Sequence, residues 1–183
     1  MQGLLGVSRA IDRLTVAIGR AVIWCILLAV LVSAGNAISR KLFSLSSNAW
    51  LELQWYLFGA AFLLAAAYTF QRNEHIRIDI VSAALPPAAR NWIDVFGHVF
   101  MLLPFTGFMI WRCFWYVLSA LQSGEVSASY GGLIIWPARL LILLGFILLF
   151  AQAISELIKR IAVIRGVVPD PHALQPAHQV PLE

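Results

Sequence analysis

Three ionisable side chains, Glu52, Arg112 and Arg139, stand inside otherwise apolar stretches of this sequence. A charge in hydrocarbon costs on the order of several kcal/mol unless it is paired or reaches water, so each needs a partner or an exit. Glu52 opens one apolar run, Arg139 opens another, and Arg112 lies about 21 residues, or about 31 Å of helix, into a third. If those runs are membrane helices in alternating directions, all three charges sit at one depth, just under the outer interface. The chemistry open to them is ion pairing, snorkelling to head groups, or proton relay. A relay needs acidic or His groups continuing across the bilayer, and none follow. A carboxylate has a short stem and gains nothing from anionic phosphates, so Glu52 is expected to pair with Arg112 or Arg139. For the two arginines, snorkelling is an equal alternative.

A second set of charges closes the run that Glu52 opens. The chain reads Trp-Leu-Glu at 50–52, Tyr-Leu-Phe-Gly-Ala-Ala at 56–61 and Arg-Asn-Glu-His-Ile-Arg-Ile-Asp at 72–79. If the last stretch is helical, His75 and Asp79 share a face four residues apart, where a carboxylate favours the imidazolium. Taken as a charge run alone, it is a solvated head-group contact.

This order of residues resembles the small membrane subunit of tripartite ATP-independent periplasmic (TRAP) transporters. In that family a Glu opens the second helix and a His-hydrophobe-basic-hydrophobe-Asp motif follows on the cytoplasmic side; the matching positions are Glu52, His75, Arg77 and Asp79. The resemblance implies fold-stabilising or partner-contacting roles for these residues. It also implies two partners, a larger membrane permease subunit carrying the substrate and sodium sites and a periplasmic substrate-binding protein. Many members carry a second acidic residue and an Arg around the Glu, where this chain has Leu51, Leu53, Gln54 and Trp55. The resemblance therefore does not carry substrate identity.

Other chemistries find little support. Cys25 and Cys113 are isolated in apolar segments, too few for a disulfide framework, and are expected to act as packing residues out of bonding reach of each other. A haem-binding or redox bundle needs axial His pairs at mid-membrane depth or an exposed dithiol, and His98 is the sole His inside a span. No cofactor, metal or catalytic residue is expected. The net charge of +4 comes from basic residues at helix ends, which points to phospholipid head groups and not to nucleic acid. With 61% hydrophobic and only 12% charged residues, the chain departs from soluble domains, which carry about 25% charge.

The elements that must position these residues follow from hydropathy. The fold class is an all-α integral membrane protein with four transmembrane helices and a short interfacial segment between the second and third. Residues 1–15 form an interfacial arm, an amphipathic helix in the head-group layer. A membrane domain over 16–161 has spans at about 16–38, 49–71, 91–121 and 133–161, each long enough for the roughly 30 Å hydrocarbon core. The first apolar run is read as an uncleaved helix and not as a signal peptide. Pro104 is expected to kink the third span, and Pro137 suits the first turn of the fourth. Glu156 is expected to pair with Lys159 or Arg160. Small residues at Ala29, Ser33, Ala37 and Ala61, Ala65 are expected to face the bundle interior. No heptads are sustained, and composition makes 162–183 a disordered tail.

Arg9, Arg13, Arg20, Arg72, Arg77, Arg90, Lys159, Arg160 and Arg165 fall on the side of the termini, against Arg40 and Lys41 on the other. The positive-inside rule then places both termini in the cytoplasm of a bacterial inner membrane. Together these readings describe a non-catalytic small permease subunit in sodium-coupled, binding-protein-dependent uptake of an organic acid or related solute. The alternatives are a four-helix membrane redox protein and a generic tetraspan assembly factor.

Overall fold

A computed structural model describes residues 1–44, 47–72 and 86–169. Its helices are α1 (Gln2–Phe43), α2 (Asn48–Arg72), α3 (Pro87–Gly97), α4 (Leu103–Ser123) and α5 (Trp136–Ile164), with a π-helical turn at His98–Leu102 joining α3 to α4. Among the described residues, four helical stretches are long and apolar enough to cross a membrane: Gln2–Phe43, Asn48–Arg72, Ala89–Ser123 and Trp136–Ile164. Helices dominate because in lipid only a helix satisfies every backbone N–H and C=O within its own segment.

The last three spans lie within a few residues of their expected positions. The first differs: residues 1–15, expected as a separate arm in the head-group plane, are the opening turns of a single 42-residue helix. No proline interrupts the chain before Pro86, and Ser8 and Thr15 are buried against α5, which holds those turns in line with the span. α1 ends at Ser44 in the left-handed conformation (φ 55°), with Arg40 and Lys41 in its last turn, where cations complement the carbonyl end of the helix. The short link to α2 forces an antiparallel pair. A Cβ on Gly19 would lie 2.6 Å from Tyr68 Cγ, so the backbone of α1 rests on that ring.

α5 is the central helix and packs against α1, α2, α3 and α4, whereas α4 packs chiefly on α5. Gly145 allows the close approach to α2: a Cβ there would stand 3.0 Å from Leu63 Cβ and 3.1 Å from the Leu63 carbonyl oxygen. On the other side of α5, Cys113 and Val117 of α4 meet Leu143 in an apolar cluster. Both cysteines are free thiols.

The interior is built from small and polar side chains, and the large apolar ones point outward. Ser8, Thr15, Val22, Ala29 and Asn36 of α1 are all buried and recur every seven residues. Phe62, Met101 and Trp24 are 79%, 70% and 66% exposed. Without a hydrophobic drive between helices in lipid, close backbone approach and hydrogen bonding hold the bundle. Ala29 and Ala61 are buried as expected. Ala37 is exposed instead, because the seven-residue stripe turns Asn36 to the interior beside it.

The third span bends its hydrogen-bond pattern just before Pro104. The Leu103 N–H donates to the His98 carbonyl, five residues back, which defines the π turn. Proline has no N–H for the next bond, and the extra residue of a π turn relieves its clash with the preceding turn.

Candidate functional site

Polar side chains collect at two ends of the bundle. The hairpin end carries the α1–α2 link and the loop from α4 to α5; the terminal end carries the start of α1, the end of α2, α3 and the end of α5.

At the hairpin end the loop is itself a small folded unit. Gly124 caps α4 at φ 63° and Gly131 turns the chain back at φ 69°, conformations that favour glycine. The Ser127 N–H donates to the Leu133 carbonyl at 2.9 Å and the Ile135 N–H to the Glu125 carbonyl at 3.1 Å, an isolated antiparallel bridge centred on Val126 and Ile134. One face of α2 then holds this loop at three points four residues apart. Asn48 Nδ2 donates to the Tyr130 carbonyl at 2.9 Å, and the Tyr56 hydroxyl donates to the Ile134 carbonyl at 3.1 Å. Between them Glu52, 5% exposed, accepts the Ser127 hydroxyl on Oε1 and the Leu133 N–H on Oε2 at 2.6 Å. Gly132 makes room for that carboxylate, since a Cβ there would lie 2.7 Å from Oε1 and 2.6 Å from Ser127 Cβ.

The expected pairing of Glu52 with Arg112 or Arg139 is not formed. Arg139 instead pairs with Glu125 at 2.6 Å, donates to the Tyr116 carbonyl at 3.2 Å and to Ser119 Oγ at 3.3 Å, and lies 3.9 Å from the centre of the Tyr116 ring. Arg112 is exposed and stacks over Trp111 at 5.8 Å. The reason is positional: α4 packs on α5 and not beside the start of α2, while the loop delivers a backbone donor and a hydroxyl directly to Glu52. Such charge-assisted bonds satisfy a carboxylate without burying a second ion beside it.

At the terminal end the charges are tied between helices. Asp12 of α1 accepts from Gln152 Nε2 at 2.9 Å, Ser155 Oγ at 2.8 Å and Lys159 Nζ at 3.2 Å, all on α5. Thr15 donates to Gln152 Oε1 at 2.8 Å, and the Ser8 and Ser155 hydroxyls meet at 2.7 Å. Lys159 is the partner that Glu156 takes. Arg160 turns the other way, to Asp94 Oδ2 at 3.1 Å and Asn91 Oδ1 at 3.2 Å, which pins α3 to α5. His98 sits in the π turn with Nδ1 against the Asp94 carbonyl and its ring 5.5 Å from that of Phe70. His75, Arg77 and Asp79 lie outside the described residues.

Asp12 and its network escaped the sequence reading. The available signal was the spacing Ser8, Asp12, Thr15 on one helix and Gln152, Ser155, Glu156, Lys159 on another, polar residues at three- and four-residue intervals within helical runs. Among the described residues, no three His, Cys, Asp or Glu side chains come together as a metal site. Both networks bind helix to helix or helix to loop.

Four apolar spans tied together by polar networks near both ends define an integral membrane protein. The chain belongs to the DctQ component family of tripartite ATP-independent periplasmic transporters, whose model matches residues 28–163. That family supplies the small permease component, which works with a large permease and a substrate-binding protein. No curated protein and no solved structure matches the chain.

Proposed function

We propose that this chain is the non-catalytic, stationary subunit that braces the large permease subunit during sodium-coupled uptake of an organic acid or related solute delivered by a periplasmic binding protein. The observation that carries the reading is the placement of the polar side chains. They lie at the two ends, in networks that cross-link α1, α2, α3, α5 and the α4–α5 loop. A rigid wall needs that arrangement, whereas a moving transport domain uses discontinuous helices and polar groups at mid-depth.

Glu52 and Arg139 serve in this reading to shape the outer loop. Arg112, exposed on α4, contacts the partner subunit or phospholipid head groups, and His75, Arg77 and Asp79 take the fold-stabilising or partner-contacting role that the family resemblance implies. The excess of Arg and Lys at the terminal end supports a cytoplasmic location for both termini in the inner membrane, with the α4–α5 loop in the periplasm. Tyr130, 97% exposed at the loop tip, gives a direct test: Tyr130→Cys should react with a membrane-impermeant maleimide applied from the periplasmic side. Labelling only after the cells are broken would reverse the orientation.

The function is tested by expressing this chain with and without the large permease subunit and measuring binding-protein-dependent, sodium-driven uptake of candidate organic acids. Uptake should require both chains. Uptake by this chain alone, or full uptake by the large subunit without it, defeats the proposal.

A further inference from the structure

A groove between α1 and α2 at the terminal end borders the Asp12 network. It is open on one side, has a volume of about 310 Å³ and is lined by Asp12, Arg13, Val16, Ala17, Arg20 and Gln71. That is the lower end of small-ligand sites, roughly 300–1,000 Å³. Asp12 at its edge is already compensated by Lys159 and bonded to α5. Arg13 and Arg20 are exposed, and among the described residues neither has a carboxylate partner. Seven residues apart, they project from nearly the same face of α1, about 10 Å apart along its axis, with the small side chain of Ala17 between them. Gln71 closes the groove on the α2 side, its Nε2 donating to the Asp12 carbonyl at 3.4 Å. Arg72, held over the Tyr68 ring at 5.4 Å, adds a cation from α2.

The same face of α1 continues past Arg20 as Trp24, Leu27 and Leu31, which are 66%, 47% and 58% exposed. A cationic rim thus runs directly into an apolar track. A free inorganic anion would use the rim and leave the track idle; a phospholipid uses both.

We propose that this groove binds an anionic phospholipid, with the phosphate between Arg13 and Arg20 and an acyl chain along Trp24, Leu27 and Leu31. Guanidinium forks suit a phosphate, and a rim of unneutralised cations selects a lipid whose net charge is negative. The proposal depends on these helices lying in a bilayer and not on the subunit role above.

The test is native mass spectrometry of the full-length chain in detergent, titrated with phosphatidylglycerol, with phosphatidylcholine of the same acyl chains, or with inorganic phosphate. Phosphatidylglycerol should be retained about tenfold better than phosphatidylcholine. Inorganic phosphate should not displace it. Arg13→Gln with Arg20→Gln should bring the ratio close to one, and Ala17→Trp, which fills the groove and keeps both charges, should do the same. Arg9→Gln, outside the groove, should leave the ratio unchanged. A wild-type ratio near one overturns the proposal, as does a ratio that survives Ala17→Trp. Displacement by inorganic phosphate would make it a free-anion site and overturn the lipid assignment. If the double variant fails to fold, Ala17→Trp decides.

Discussion

At the hairpin end one carboxylate, Glu52, is held by a loop, through a hydroxyl and a backbone N–H. At the terminal end another, Asp12, is held by three side chains of a neighbouring helix, and each of those donors has a second acceptor: Glu156 for Gln152, Ser8 for Ser155, Glu156 for Lys159. The first arrangement has no redundancy. Losing Glu52 leaves the half-buried Leu133 N–H without its acceptor, whereas losing Asp12 leaves its former donors with other acceptors. Two ends of one bundle with similar residue types should therefore fail very differently.

The largest effect should come from Glu52→Leu. It removes the acceptor of the Leu133 N–H, and hydrogen exchange across loop residues 125–135 should accelerate on the order of a hundredfold. Glu52→Gln retains the shape and one good acceptor, so about tenfold is expected there. Unchanged exchange in both variants would mean that the loop stands on its own bridge, and the contrast between the ends would disappear. Gly132→Ala pushes a methyl into the space of the Glu52 carboxylate and should raise exchange in the same loop by about tenfold. Combined with Glu52→Leu it should add little, because both changes break one contact; full additivity would separate them.

Arg139→Lys keeps the charge near Glu125 but loses the fork that also reaches Tyr116 and Ser119. A loss of about 1–2 kcal/mol in detergent unfolding is expected. An unchanged unfolding midpoint would reduce that cluster to a surface ion pair. The smallest effect should be that of Asp12→Asn, about 0.5–1 kcal/mol by the same measurement, since the neighbouring acceptors remain. A loss above about 3 kcal/mol, the range for breaking a buried pair, would show that the terminal network is not redundant after all.

The four spans were legible because an apolar run of bilayer length is a strong, local signal, and Glu52 stood out as a charge inside one. Its partner was not legible. Charges at equal depth point to Arg112 or Arg139, but the donors, a hydroxyl and a backbone N–H, come from a loop whose position depends on Gly124 and Gly131 adopting positive φ and on α4 packing beside α5. Neither is written in hydropathy. The stripe on α1 was hidden for a related reason. A search for heptads looks for large apolar residues, and this repeat is Ser8, Thr15, Val22, Ala29 and Asn36, the pattern of a helix whose interior is the more polar side. Residues 1–15 read as an arm because their apolar residues alternate with charges in an amphipathic pattern, although one of those charges, Asp12, is what fastens them to α5.

The length of α1 carries a mechanical consequence. Forty-two residues make a rod of about 63 Å, roughly twice the hydrocarbon thickness, and neither a proline nor a π turn gives it a joint. A rod that long is a lever: a 5° tilt about one end carries the other through about 5 Å, more than the reach of any hydrogen bond described above. Clamping one end alone would leave the opposite tip free to swing. Ser8, Asp12 and Thr15 grip the rod near its beginning, and Trp50 lies against Gly35 near its close, 3.1 Å from where a Cβ would stand. With a grip near each tip, rocking motion in a neighbouring subunit would meet a beam and not a hinge.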